Sequence, residues 1–269
     1  MNDRATGAAQ RSTNPSIGEL RLVTQPDSVR TRAGAEHWVA SAYLRDVSPY
    51  LTKVLLRAGL SANGVTWLMI LSAGLAAVVT GWPGLLSAFL LVVLVQLQML
   101  LDCSDGEVAR WRQTSSPQGV YLDRIGHYVA ECGIAVALGV RAAGGFQPAS
   151  VWISLGLLLG MLIALNKVEN DLVHVARAYA GMPQVRDVED VRQPSQGLLR
   201  TLHRIARLVP FHRLFHSVEL SLLILAAAIV DALGADGLAA RGLLVALVAA
   251  AALTVVGHLA AVLTSSRLR

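Results

Sequence analysis

Between Leu101 and His127 the chain reads LDCSDGEVARWRQTSSPQGVYLDRIGH. The acids Asp102, Asp105 and Asp123 stand among Gly106, Ala109, Arg110 and Gly119, where two strongly apolar segments meet. Carboxylates beside hydrocarbon are costly unless something pairs with them. The simplest partner for clustered carboxylates is a divalent cation, and a cation held by acids at a membrane surface points to phosphate chemistry. Helical spacing gathers these groups. Asp102 and Asp105 are i and i+3 on one helix face, and Asp123, His127 and Glu131, spaced by four, form one stripe on the next segment. Gly106 and Gly119 let backbone approach a ligand closely. Ala109 keeps the same face small, and Arg110 can pair with an acid or reach a phosphate. A purely structural cluster of interhelical salt bridges is the competing reading, and the two glycines and the small residue at these spacings weigh against it.

The elements that must carry these side chains are apolar helices. Hydrophobic residues make up 54% of the chain and charged ones 15%, where soluble domains average about 25% charged. The composition predicts an all-α integral membrane protein. Six spans are expected near Val65–Gly81, Leu85–Leu101, Val120–Val140, Val151–Leu165, Ser217–Leu233 and Gly242–Thr264. The second is expected to run on into Arg110, and the short fourth to continue as helix through Asn166–Tyr179. Residues 61–269 are thus read as the membrane domain. Before it, residues 37–60 alternate Trp38, Tyr43, Val47, Tyr50, Leu51, Val54 and Leu55 with Arg45, Asp46, Lys53 and Arg57, as an amphipathic helix lying in the membrane interface does. Residues 1–36 are polar and read as a flexible cytoplasmic tail. Cys103 and Cys132 lack metal-site spacing, so neither a zinc cluster nor a structural disulfide is expected.

Lysine and arginine set the orientation. Eight precede Val65, two lie in Cys103–Gly119, eight in Asn166–His216 and two in the C-terminal tail, against Arg141 and Arg241 alone on the other side. This positive-inside bias places both termini and the acidic motif in the cytoplasm, in a multi-pass cell (inner or plasma) membrane protein. The net charge of +5 belongs to these loops, with no nucleic-acid partner expected.

The motif resembles that of the CDP-alcohol phosphotransferases, D-x2-D-G-x2-A-R, eight residues, then G-x3-D-x3-D. The chain supplies Asp102, Asp105, Gly106, Ala109, Arg110, Gly119 and Asp123 at those spacings, with His127 at the last position. Ser61-Ala62-Asn63-Gly64-Val65-Thr66 is similar to the family's entry into its first span. The resemblance implies transfer of a phosphate-linked group from a CDP-alcohol, such as a CDP-diacylglycerol lipid donor, to an acceptor hydroxyl with release of CMP. It also implies Mg²⁺ or Mn²⁺ as cofactor and a homodimer among membrane lipids. By that resemblance Asp102, Asp105, Asp123 and the His127 position hold metal, and Gly106, Ala109 and Gly119 line the cytidine pocket, with Arg110 supporting the acids or the diphosphate. Asn63 and Thr66 are assigned to the same nucleotide site.

His127 departs from the family pattern, and three readings stay open. It is the base for the acceptor hydroxyl, held by Glu131; or it is a neutral metal ligand; or the chain is a catalytically degenerate relative that binds nucleotide or metal as a scaffold. On the acceptor side, Asn170, His174 and Arg177 share one helical face suited to a polar or phosphorylated acceptor. Arg204, Arg207 and Arg213 suit lipid headgroups, and Asp231 reads as a plain solvent contact.

Overall fold

The computed structural model describes residues 11–30, 38–183, 211–264 and 268; Arg204 and Arg207 lie outside them. The described residues are helical, with no strand among them. The helices are α1 (Ile17–Thr24), α2 (Arg45–Arg57), α3 (Ala62–Thr80), α4 (Leu85–Arg112), α5 (Pro117–Ala142), α6 (Val151–Tyr179), α7 (Ser217–Val230) and α8 (Leu238–Thr264), with a π-helical turn Ala40–Leu44 leading into α2. Two expected extensions are present: α4 continues to Arg112 and α6 to Tyr179. Among the described residues five helices are long and apolar enough to cross a membrane, namely α3, α4, α6, α7 with its extension to Ala235, and α8. The expected sixth, α5, spans 26 residues but falls outside that set. Its apolar character is diluted by Asp123, Arg124, His127, Glu131 and Arg141, the residues that make it chemically interesting.

The chain divides into two compact units, residues 1–69 with 98–124, and residues 70–97 with 125–269, the divisions falling inside α3, α4 and α5. In the first unit, residues 11–30 of the tail read from the sequence as flexible form ordered structure. Ser16 caps α1 with a capping box: its hydroxyl accepts from the Glu19 N–H at 3.2 Å, and its own N–H donates to Glu19 Oε2 at 2.7 Å. Hydrogen bonding from the Ser16 N–H, and next from the Ser16 side chain, holds the Glu19 carboxyl below its ordinary pKa. Leu20 and Thr24, one turn apart on α1, are fully buried. Asn14 accepts from Arg57 Nε at 2.9 Å, and Arg21 donates to the Asp46 carbonyl at 3.1 Å, so the segment is docked on α2. Two turns of helix anchored by one leucine are too short for hydrophobic periodicity to reveal them. In α2, Ser48, Pro49, Thr52, Leu55 and Leu56 are buried, while Tyr43, Val47, Tyr50 and Val54 are exposed on the π turn and α2.

The second unit is held by close backbone approach and by two arginines. A Cβ at Gly139 of α5 would lie 2.6 Å from the Trp152 carbonyl and 2.8 Å from Gly156 Cα of α6, so only glycine fits there. Small residues allow this packing in an apolar setting, where helices associate by van der Waals fit. Arg141, buried at the end of α5, donates to the carbonyls of Trp82 (2.8 Å) and Gly84 (2.5 Å) and to Ser87 Oγ (2.9 Å), tying down the α3–α4 turn. Arg241 donates to the Ala142 carbonyl at 3.0 Å and lies 5.3 Å from the Trp152 ring centroid. Asp231 is a helix cap and not a plain solvent contact: its two oxygens accept from the N–H groups of Ala239 and Ala240 at 2.9 and 3.1 Å, at the start of α8.

Gly139→Ala is expected to destabilise the second unit by about 1–3 kcal/mol, the usual range for overpacking. Thermal unfolding in detergent checks this, with Gly242→Ala, where nothing lies within 4 Å of an added Cβ, as the near-neutral control.

Candidate metal centre

The last turns of α4 and the first turns of α5 carry the motif. The loop between them ends in Ser116-Pro117. Ser116 Oγ accepts from the Gly119 N–H at 3.1 Å, and Pro117, which lacks a donor, begins the helix. This start fixes the phase of α5, so Asp123 and His127 follow one turn apart on the same side. Asp102 on α4 faces that side. Ligand atoms of Asp102 and Asp123 lie within 4.8 Å of one another, and His127 follows one turn along α5 from Asp123. All three are partly accessible.

Asp105 is not part of this trio. It is buried, and its Oδ2 accepts from Thr66 Oγ1 at 2.7 Å. The expected ligand set of four thus separates into a group of three and a carboxylate oriented by a hydroxyl on α3. Thr66, expected at the nucleotide, is a partner of an acid. Asn63 Oδ1 lies 3.3 Å from where a Cβ on Gly119 would sit, so the approach of Asn63 explains the glycine there. Gly106 has a similar explanation. A Cβ at that position would lie 3.0 Å from Arg110 Nη1, so the missing side chain makes room for the Arg110 guanidinium to fold back along α4. Arg110 Nε donates to the Thr24 carbonyl at 2.6 Å, which turns this arginine toward the N-terminal segment. Ala109 is half-buried on α4.

Glu131, expected to hold His127, is buried with its Oε2 3.0 Å from Lys167 Nζ of α6. Lys167 also lies 5.4 Å from the centroid of the Tyr128 ring, whose hydroxyl donates to Asp171 Oδ2 at 3.3 Å. Further along, His258 Nδ1 of α8 is 3.1 Å from Asn166 Oδ1 and 3.4 Å from Glu169 Oε2. Of the expected acceptor face, Arg177 binds the Pro183 carbonyl at 2.8 Å and Asn170 donates back to the Asn166 carbonyl at 3.1 Å. Sequence reading gave Lys167 no role. Its signal was that it is one of only two lysines in the chain, set one turn before an exit from an apolar helix. Glu107 was missed as well: it is fully buried inside the motif, on the side of α4 away from the acids.

Two carboxylates whose oxygens lie within 4.8 Å of one another, with an imidazole one turn further along α5, are a donor set of the kind that suits a divalent cation. Without one, two acids at this separation repel in a poorly hydrated setting.

Residues 60–185, which hold every motif residue, match the model of the CDP-alcohol phosphatidyltransferase family. A search of curated proteins gives no match for the chain. The family's chemistry is phosphatidyl transfer from a CDP-alcohol.

Asp123→Asn is expected to abolish specific Mn²⁺ binding measured by electron paramagnetic resonance titration. Thr66→Val, which only frees Asp105 to turn, weakens it by about tenfold, the lower range for loss of an orienting partner.

Proposed function

We propose that the chain is a metal-dependent transferase that moves a phosphatidyl-type group from a CDP-alcohol, best served by CDP-diacylglycerol, to an acceptor hydroxyl and releases CMP. The observation that carries this reading is the approach of Asp102 and Asp123 where α4 ends and α5 begins, with His127 one turn further along α5, inside the segment that matches the family. In this reading α5 is the sixth span, its polar stripe turned inward. Residues 37–60 lie in the interface of the cell membrane, with the exposed Tyr43, Val47, Tyr50 and Val54 toward lipid. Residues 61–269 form the membrane domain, both termini are cytoplasmic, and the enzyme works as a homodimer.

Asp102, Asp123 and His127 would hold Mg²⁺ or Mn²⁺, with Asp105 beside them. Such a cation, when bound, neutralises diphosphate charge and stabilises the departing phosphate oxygen. The chain's own groups do the rest. On the nucleotide side Gly106 and Gly119 let Arg110 and Asn63 come close, Ala109 adds little bulk, and Thr66 stands behind on α3. Arg110, braced along α4, adds positive charge near the phosphates. The acceptor hydroxyl oxygen attacks the phosphorus bearing the alcohol, and the bond to the CMP oxygen breaks with its electron pair leaving on CMP. The ring nitrogen of His127 that the cation would leave free takes the hydroxyl proton. Glu131, with its charge answered by Lys167, holds the stripe on which His127 stands. Asn170, His174 and Arg177 face the acceptor.

His127 at the final motif position is also what a degenerate, nucleotide-binding scaffold would carry, and turnover separates the two. The purified protein with Mg²⁺ or Mn²⁺ and CDP-diacylglycerol is expected to release CMP in the presence of one member of a panel of polyol, sugar and amino-alcohol acceptors, and to stop on chelation. His127→Ala should lose at least about a hundredfold in kcat, the lower range for general-base loss. CDP-dependent thermal stabilisation without CMP release from the wild type selects the scaffold.

A further inference from the structure

The acids of α4 occupy one side of the helix, and the other side is gripped by the N-terminal segment. Glu107 lies about 140° around the helix from Asp102 and about 160° from Asp105 at 100° per residue. Its side chain is fully buried. Gln25 Nε2 and Ser48 Oγ donate to its Oε1 at 2.8 and 2.5 Å, and Thr52 Oγ1 donates to its Oε2 at 2.6 Å. Gln25 follows α1, and Ser48 and Thr52 stand on α2, so one carboxyl group joins three segments. Gln25 Nε2 also reaches the Arg45 carbonyl at 2.6 Å.

Two more grips act on the end of the same helix. Arg11 Nη1 donates to the carbonyls of Arg110 and Trp111 at 3.3 and 3.2 Å, and its guanidinium lies 5.4 Å from the Trp111 ring centroid. Trp111 Nε1 returns a bond to the Ser12 carbonyl at 2.9 Å, and Arg110 Nε donates to the Thr24 carbonyl. The last carbonyls of a helix lack intrahelical partners, and this arginine supplies one.

A leucine at position 107 would fill the same space at less desolvation cost. What a carboxyl with three directed donors adds is direction: it fixes the rotation of α4 about its axis. Rotation matters here. A carboxylate oxygen stands roughly 6 Å from a helix axis, so a 20° turn moves it about 2 Å, whereas ligand constellations tolerate about 0.5 Å.

We propose that Glu107 and Gln25 form a positioning latch, through which the N-terminal segment holds α4 in the rotation that presents Asp102 to the cation, with Asp105 beside it. The latch rests on the metal reading given above. Residues 11–30 are then a working part of the site, although none of them touches a ligand.

The test uses the full-length protein in detergent with Mn²⁺ alone as probe. Glu107→Ala, Gln25→Ala and the double variant are each followed by hydrogen–deuterium exchange over residues 17–24 and by paramagnetic resonance titration of Mn²⁺. Each single variant is expected to raise exchange in α1 and weaken Mn²⁺ binding about tenfold, with the double variant no worse than the weaker single, because both remove one shared interaction. Glu107→Gln, whose carbonyl still accepts from Gln25 and whose amide meets the Thr52 hydroxyl, restores both readouts. If Glu107→Ala does not fold, Gln25→Ala, which leaves Ser48 and Thr52 on Glu107, carries the test. Unchanged α1 exchange, or raised exchange with unchanged Mn²⁺ binding, overturns the latch and leaves the proposed function standing. A wild type that binds no Mn²⁺ overturns both.

Discussion

A carboxylate at the end of an apolar helix is stable only where its charge or its lone pairs are met, and α4 carries three such groups within six residues. Each is met differently. Asp102 faces Asp123, with His127 one turn further along α5, an arrangement that calls for a cation. Asp105 is buried against the Thr66 hydroxyl. Glu107 takes three neutral donors from the N-terminal segment and α2. The helix phase that satisfies one acid must satisfy all three, because the groups are rigidly related by the helix. That constraint explains why a short helix before the membrane domain is folded at all: it supplies partners that the apolar helices lack.

Legibility from sequence followed the range of the interactions. The acids, the glycines and their spacing were readable because the motif is local, and the extensions of α4 and α6 were readable because polar residues continue a helical pattern without a breaker. Residues 11–30 were not, because the contacts that order them run to α2 and to the far end of α4. Gln25 meets Glu107 across 82 positions, and Trp111 meets Ser12 across 99. Polar composition described the segment accurately and its structure wrongly, since what folds it is one buried leucine and a set of directed bonds. The missing sixth apolar helix has the same root. The groups that suit α5 to chemistry are those that make it look unlike a span.

Two glycines changed meaning between sequence and structure. Gly106 and Gly119 read as openings for a ligand. In the folded chain their missing side chains are filled by Arg110 and approached by Asn63. A glycine in such a motif therefore reports a close approach without saying by what. Arg110, whose Nε is bound to the Thr24 carbonyl, is better seen as a brace with a charge than as a free arm.

The charge balance of the proposed site bears on how many cations it can take. With a neutral imidazole in place of the last carboxylate, Asp102 and Asp123 supply two negative charges, which match one divalent ion. A second ion would need Asp105, which Thr66 holds by one oxygen, or Glu131, which Lys167 already neutralises at 3.0 Å. Glu131 would have to leave its ion-pair partner, and breaking a buried ion pair costs about 3–5 kcal/mol, while Asp105 has one oxygen left to offer. On the proposed reading, the His127 substitution therefore favours a one-cation site. Imidazole in the donor set also tilts the choice toward Mn²⁺ over Mg²⁺, which prefers oxygen ligands alone.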